Sequence, residues 1–152
     1  MKEKDFQGLF SLWVDSNKKF IKDTFGKFVA FELKIEKSRS IRFDRIAIHQ
    51  KEAMIDVEGV GCYHKINDMP FIKNNPQMRF TNKKPFDCFF GCGFAYVVVW
   101  FYKKGQKKED REMILIPIRD WVREWIIAEK EERKSIREEY LRTIGTVINF
   151  CR

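Results

Sequence analysis

The stretch FVAFELKIE, from Phe28 to Glu36, decides the reading of this chain. Val29, Phe31, Leu33 and Ile35 fall on one parity and Ala30, Glu32, Lys34 and Glu36 on the other. Successive side chains of a strand point to opposite faces, so the spacing predicts a half-buried strand. Glu32 and Lys34 then stand side by side on the less apolar face, roughly 7 Å apart along the strand at about 3.3 Å rise per residue. Taken alone, a Glu-x-Lys on a strand reads as a solvated ion pair worth about 0–1 kcal/mol. The flanking segments give it more weight.

On the N-terminal side, Phe6, Leu9, Phe10, Trp13 and Val14 recur at helical spacing, which predicts an amphipathic helix from Lys4 to about Val14. Glu3 and Asp5 lie at its start, where the helix dipole favours carboxylates. A polar stretch, Asp15 to Lys27, leads into the strand. On the C-terminal side, Lys37 to Arg42 is a basic, hydroxyl-bearing loop, whose Arg39 and Arg42 are placed either to touch phosphates or to serve a solvated turn. A second helix is predicted over Asp44 to Val57, with Asp44 as N-cap and a stripe of Ile46, Ala47, Ala53, Met54 and Val57. Gln50 falls within that stripe, and a buried amide left unsatisfied costs about 1–3 kcal/mol. It therefore needs a partner.

Further on, Gly59 to Ile66 reads as a short strand, and Asn67 to Lys84 as a polar segment long enough to suggest a functional loop. KPFDCFFGCGFAYVVVWF, from Lys84 to Phe101, predicts two strands joined by a glycine turn at Gly91 to Gly93. Asp87 interrupts the first of them, and an acid among Phe86, Phe89 and Phe90 is disfavoured unless exposed, paired or bound to a cation. Glu112 to Ile118 reads as a strand whose Pro117 suggests an edge or a strand end. Asp120 caps a helix that the pattern continues through AEKEERKSIREEYLRTI to Ile144. The Glu-x-Lys at Glu132 to Lys134 falls in that run, where the two side chains would point about 200° apart. The element order implies an α/β layer with a central mixed sheet. Residues 1–128 make the main unit and 129–152 a C-terminal helical extension of it.

The chain has 152 residues, with thirty Lys plus Arg against twenty-two acids and a formal charge of +8, which suits a polyanionic partner such as DNA or RNA. A hydrophobic fraction of 44%, with fifteen Phe, excludes disorder of the whole chain. Cys62, Cys88, Cys92 and Cys151 form no Cys-x-x-Cys pair, and with two His a zinc site is not expected. Cys88 and Cys92 could meet across a tight turn, but reduced thiols and a cytoplasmic location are the plainer expectation. The N-terminus lacks the pattern of a signal peptide, and the longest apolar stretch, Phe94 to Tyr102, is too short to span a bilayer, so no membrane partner is expected.

Glu32 and Asp87 on neighbouring strands would repel one another, and a divalent cation relieves that. Mg2+ or Mn2+ with oxygen ligands suits such a pocket, and Lys34 is a compact cation that can stabilise charge developing on a phosphate.

Glu32-Leu33-Lys34 on a strand, followed by a helix with His49-Gln50, resembles the PD-(D/E)XK nuclease superfamily. KPFDCF, then AYVVVWFYKKGQ and IPIRDWVRE, is similar to Holliday-junction-resolvase-like proteins of phages and bacterial mobile elements, the likeness covering Glu3 to about Trp125. The resemblance implies a restriction-endonuclease-like fold, a Mg2+ or Mn2+ requirement, and cleavage of DNA phosphodiester bonds by a homodimer acting on branched structures. It makes Glu32 and Asp87 metal ligands, Lys34 the catalytic lysine, Gln50 the helix glutamine at the site, and Glu3 an accessory acid. Arg39, Arg42, Lys83 and Lys84 would meet the nucleic acid. The superfamily's aspartate ordinarily precedes the Glu-x-Lys strand, whereas Pro85-Phe86-Asp87 follows it. Either Asp87 has migrated with its carboxylate kept in place, which is the reading preferred, or Asp23 fills the role, or activity is lost. Two other classes stand beside a nuclease: a nucleic-acid-binding module without chemistry, and a phage assembly protein working through its charged C-terminal helix.

Overall fold

A computed structural model describes residues 3–19, 29–59, 62–65, 88–91, 93–107 and 110–149. In chain order these form α1 (Glu3–Ser16), β1 (Val29–Glu36), β2 (Ser40–Arg42), a 3-10 turn (Phe43–Arg45), α2 (Ile48–Gly59), β3 (Cys62–Lys65) and β4 (Cys88–Gly91). They continue with β5 (Phe94–Phe101), β6 (Glu112–Pro117), α3 (Ile118–Lys130), β7 (Ser135–Arg137), α4 (Glu138–Ile144) and β8 (Thr146–Asn149).

The fold is α/β with a mixed central sheet flanked by helices. Its strand order is β1-β5-β6-β8. β1 and β5 run parallel, from Val29 opposite Phe94 to Glu36 opposite Phe101, while β6 is antiparallel to both β5 and β8. Parallel neighbours require a crossover, and α2 lies within it. β5, lying between two strands and covered on both faces, carries the near-continuous apolar run AYVVVWF expected of such a position.

Residue parity divides the core. Val29, Phe31, Leu33 and Ile35 of β1 join Val98 and Trp100 of β5 and Phe6, Phe10 and Trp13 of α1. Ring contacts of 5.4 Å between Phe6 and Trp100 and 5.0 Å between Phe10 and Phe31 stitch α1 to that face. On the opposite face, Val97 and Val99 of β5 and Ile114 and Ile116 of β6 pack with Met54 and Val57 of α2 and Trp121 and Ala128 of α3. The expected helical face of α1 and the alternation of β1 are both observed.

Four expectations are corrected. The second helix begins at Ile48, after a 3-10 turn, so Asp44 is not its cap; the Asp44 carboxylate instead accepts from Arg42 Nε at 3.0 Å. Ala53 of its expected stripe is exposed, and Lys51 is buried in its place. Nor does Asp120 cap its helix, since α3 begins at Ile118 with Pro117 as its N-cap. The two strands expected on either side of the glycine turn are both present, β4 pairing with β3 and β5 with β1 and β6. The C-terminal helical extension is overturned as well. α3 stops at Lys130, Glu132 adopts φ 56°, and Glu132 to Lys134 therefore lie in a turn. β7 then pairs antiparallel with β2, and β8 becomes the outer strand of the central sheet. Ile41 and Ile136 face one another across the β2–β7 ribbon and enter the same core, which fixes residues 135–137 as a strand. Among the described residues, no helix is long and apolar enough to cross a membrane.

The joint between α4 and β8 is tight at Gly145. A Cβ there would come within 2.6 Å of Ile114 Cγ2 and 2.9 Å of the Leu115 carbonyl oxygen. Overpacking of this kind costs about 1–3 kcal/mol. Gly145→Ala should therefore lower the thermal unfolding midpoint by several degrees, whereas Gly8→Ala, at an open position on α1, should not lower it.

Candidate active site

Because the apolar parity of β1 is taken by α1, its other parity, Ala30, Glu32, Lys34 and Glu36, faces the layer of α2 and α3. Glu32 and Lys34 lie opposite Val97 and Val99 of β5, so neither charge is set against a solvated neighbour. They meet directly: Lys34 Nζ is 2.7 Å from Glu32 Oε1, with side chains 10% and 23% exposed.

Gln50 completes the group from α2. Its Nε2 donates to the same Glu32 Oε1 at 3.0 Å, and its Oε1 accepts from the Ala47 backbone N–H at 3.0 Å. The second contact is the reach-back of a residue three places after a helix N-cap, which satisfies a backbone donor that the helix cannot. One amide thus finishes the helix and grips the carboxylate, and its orientation is fixed from both sides. The sequence expectations that Glu32 and Lys34 share a face, and that Gln50 on the following helix needs a partner, converge on one cluster.

Further along the same parity, Arg45 Nε donates to Glu36 Oε1 at 2.9 Å. The polar face of β1 therefore alternates acid, lysine, acid, with a cation on each carboxylate.

The remaining predicted site residues divide in two. Arg39 is exposed in the turn after β1; Arg42 is exposed and engaged by Asp44, whose carboxyl it holds below the usual range through their hydrogen bond. Glu3 opens α1, but its side chain, like Asp23, Lys83, Lys84 and Asp87, lies outside the described residues. Among the described residues, no group of three or more His, Cys, Asp or Glu could hold a metal ion. Glu32 is the carboxylate that Lys34 and Gln50 engage. That chemistry fits a hard cation only if a second oxygen comes from one of those aspartates or from a phosphate.

Sequence reasoning did not single out the roles of Lys51 and Glu58. Lys51, next to Gln50, lies with its ammonium 3.3 Å from the centroid of the Trp125 ring, a cation–π contact. Burial pushes its pKa down, opposed by Glu129. Its spacing from Met54 and Val57 was the available signal. Glu58, near the end of α2, accepts from the Ala95 N–H at 3.2 Å and pairs with Arg119 Nε at 2.6 Å, tying α2 to the start of β5 and of α3. Comparison of the chain with protein-family models, curated proteins and solved structures finds no match.

Two measurements test this geometry. Gln50→Leu removes the donor to Glu32 and the reach-back, and should cost about 1–3 kcal/mol in urea unfolding at neutral pH. Gln50→Glu keeps the reach-back but sets a like charge against Glu32, so it should be at least as destabilising. For Lys51, a folded-state pKa below the unfolded value of about 10.4 means that the unfolded chain binds more protons, so stability rises with pH in the window just below that value. Unfolding of Lys51→Met between pH 8 and 10 should lack this component of the rise.

Proposed function

We propose that the chain is a metal-dependent DNA endonuclease of the PD-(D/E)XK type, with a restriction-endonuclease-like fold and a preference for branched DNA, acting in the cytoplasm as a homodimer. The observation that carries this reading is the contact of Glu32 with both Lys34 and Gln50, on a strand and the helix that follows it, within an α/β fold. The chain's excess positive charge supports a polyanionic substrate.

In this reading Glu32, with Asp87 in the favoured arrangement, would hold Mg2+ or Mn2+, which would supply electrostatic stabilisation of the phosphodiester and lower the pKa of a bound water. Lys34 stabilises the negative charge that develops on the scissile phosphate, a role suited to a compact ammonium in a partly water-excluded place. Gln50 acts on Glu32, fixing the direction in which the carboxylate points. Val97 and Val99, lying opposite Glu32 and Lys34 on β5, limit the approach of water from the sheet side.

One feature favours the alternative of a nucleic-acid-binding protein without chemistry: at 2.7 Å, Lys34 already neutralises Glu32 within the chain. A panel of four-way, flapped and linear DNA, incubated with and without Mn2+, separates the two. The nuclease reading predicts metal-dependent cutting of the branched substrates, with Lys34→Ala lowering the rate by about 10²–10³, the scale seen on removing one charge-stabilising donor. DNA binding by the variant should stay near the parent's. Salt-sensitive binding without cutting would establish the alternative.

A further inference from the structure

The ends of β1 and β5 are tied together, since the Tyr102 N–H donates to the Glu36 carbonyl at 2.7 Å. The two chains leave the sheet there side by side, Arg39 on one and Lys103 on the other. Next to them stands the β2–β7 ribbon, built from one tripeptide used twice: Ser40-Ile41-Arg42 runs antiparallel to Ser135-Ile136-Arg137, with Ser40 opposite Arg137 and Arg42 opposite Ser135. Both isoleucines are spent on the core, so strand alternation turns the serines and arginines outward. A cleft of about 670 Å3 lies between these segments, lined by Arg39, Lys103, Arg137 and Arg142 and by the hydroxyls of Ser40 and Ser135.

Arg142 is consumed by Glu112 and Glu138. Arg39, Lys103 and Arg137 have no ion-pair partner among the described residues. Glu138 and Glu139 also line the cleft, which therefore keeps an excess of positive charge. Three exposed cations scattered over a convex surface would be no more than solvated. Here they come from three separate segments, converge on a concavity, and have serine hydroxyls beside them.

The cleft also lies on the polar side of β1. Glu36 stands opposite Phe101, which faces the α2–α3 layer as Glu32 and Lys34 do. Arg39 lies five positions beyond Lys34, at most about 17 Å away at 3.4 Å per residue. That spans no more than about five nucleotides of a strand rising 3.4 Å per nucleotide.

We infer that this cleft is a binding site for the phosphodiester backbone of a nucleic acid, holding the strand that passes Lys34 a few nucleotides from the Glu32–Lys34–Gln50 cluster. The inference takes its polymer from the nuclease reading, whereas the cleft itself stands on its own geometry. The guanidinium groups of Arg39 and Arg137 take phosphate oxygens in forked hydrogen bonds, Lys103 adds a point charge, and Ser40 and Ser135 donate to the same oxygens.

The test is fluorescence anisotropy of the full-length protein with a labelled 30-base-pair duplex in EDTA, over a range of NaCl concentrations. Each lost phosphate contact lowers the slope of log K against log salt by about 0.9. Arg39→Gln/Arg137→Gln should reduce the slope by about 1.8 and weaken binding at least tenfold at low salt. Glu139→Gln, which removes a carboxylate from the same wall, should tighten binding several-fold, a gain that a misfolded protein would not give. A salt slope unchanged from the parent's in the double variant, with affinities of both variants within twofold of the parent's, would overturn the inference. Binding that depends on the cleft without any cutting retains it and removes the nuclease reading; cutting with binding indifferent to the cleft does the reverse.

Discussion

The parallel pairing of β1 with β5 is the constraint from which the rest of the arrangement follows. A parallel pair cannot be closed by a tight turn, so the chain must cross over, and α2 lies on that crossover. Since α1 occupies one face of β1 with Phe6, Phe10 and Trp13, α2 is left the other, and that is the face bearing Glu32 and Lys34. A helix laid there meets charge where helices usually meet hydrocarbon. The chain answers with half-buried Gln50 and buried Lys51, one bonded to Glu32 and the other lying on Trp125. Polar chemistry in this layer is thus a consequence of topology combined with the parity of a single strand.

Such a layer is costly. Two charges taken out of water lose solvation that their mutual attraction only partly returns, and an ion pair of this kind is often no more stabilising than hydrocarbon of similar volume. The opposite face of the same sheet shows what the fold does when nothing else is required of it, packing aromatic rings against aliphatic side chains throughout. The contrast between two faces of one sheet is what motivates the proposal that the Glu32–Lys34–Gln50 cluster serves function. The basic cleft beyond Glu36 extends that logic, for it is lined on the polar side by groups that the core does not use.

Sequence pattern alone conveyed what was local. The alternation of FVAFELKIE gave β1 and its two faces, the period of Phe6, Phe10 and Trp13 gave α1, and Pro117 marked the end of β6. Gln50 stood out because an amide within an apolar stripe must find a partner, and Glu32 is that partner. What escaped was set by distant contacts. Ser135–Arg137 is a strand because Ile41 lies across from Ile136; in the sequence, Ile136, Tyr140, Leu141 and Ile144 fit a helical stripe equally well. β4 adjoins β5 in sequence yet pairs with β3, because the edges of β5 belong to β1 and β6. The buried role of Lys51 depends on Trp125, which no local pattern brings to it.

The central claim is that Glu32 and Lys34 are kept at some expense to stability. The most direct measurement is the unfolding free energy of the double replacement Glu32→Met/Lys34→Met, which substitutes hydrocarbon of similar reach for both charges at once. A protein as stable as the parent, or more stable by about 1–4 kcal/mol, is the predicted result. A loss of about 3 kcal/mol or more, the scale expected when a needed buried pair is broken, would show that the pair serves the fold and would contradict this account.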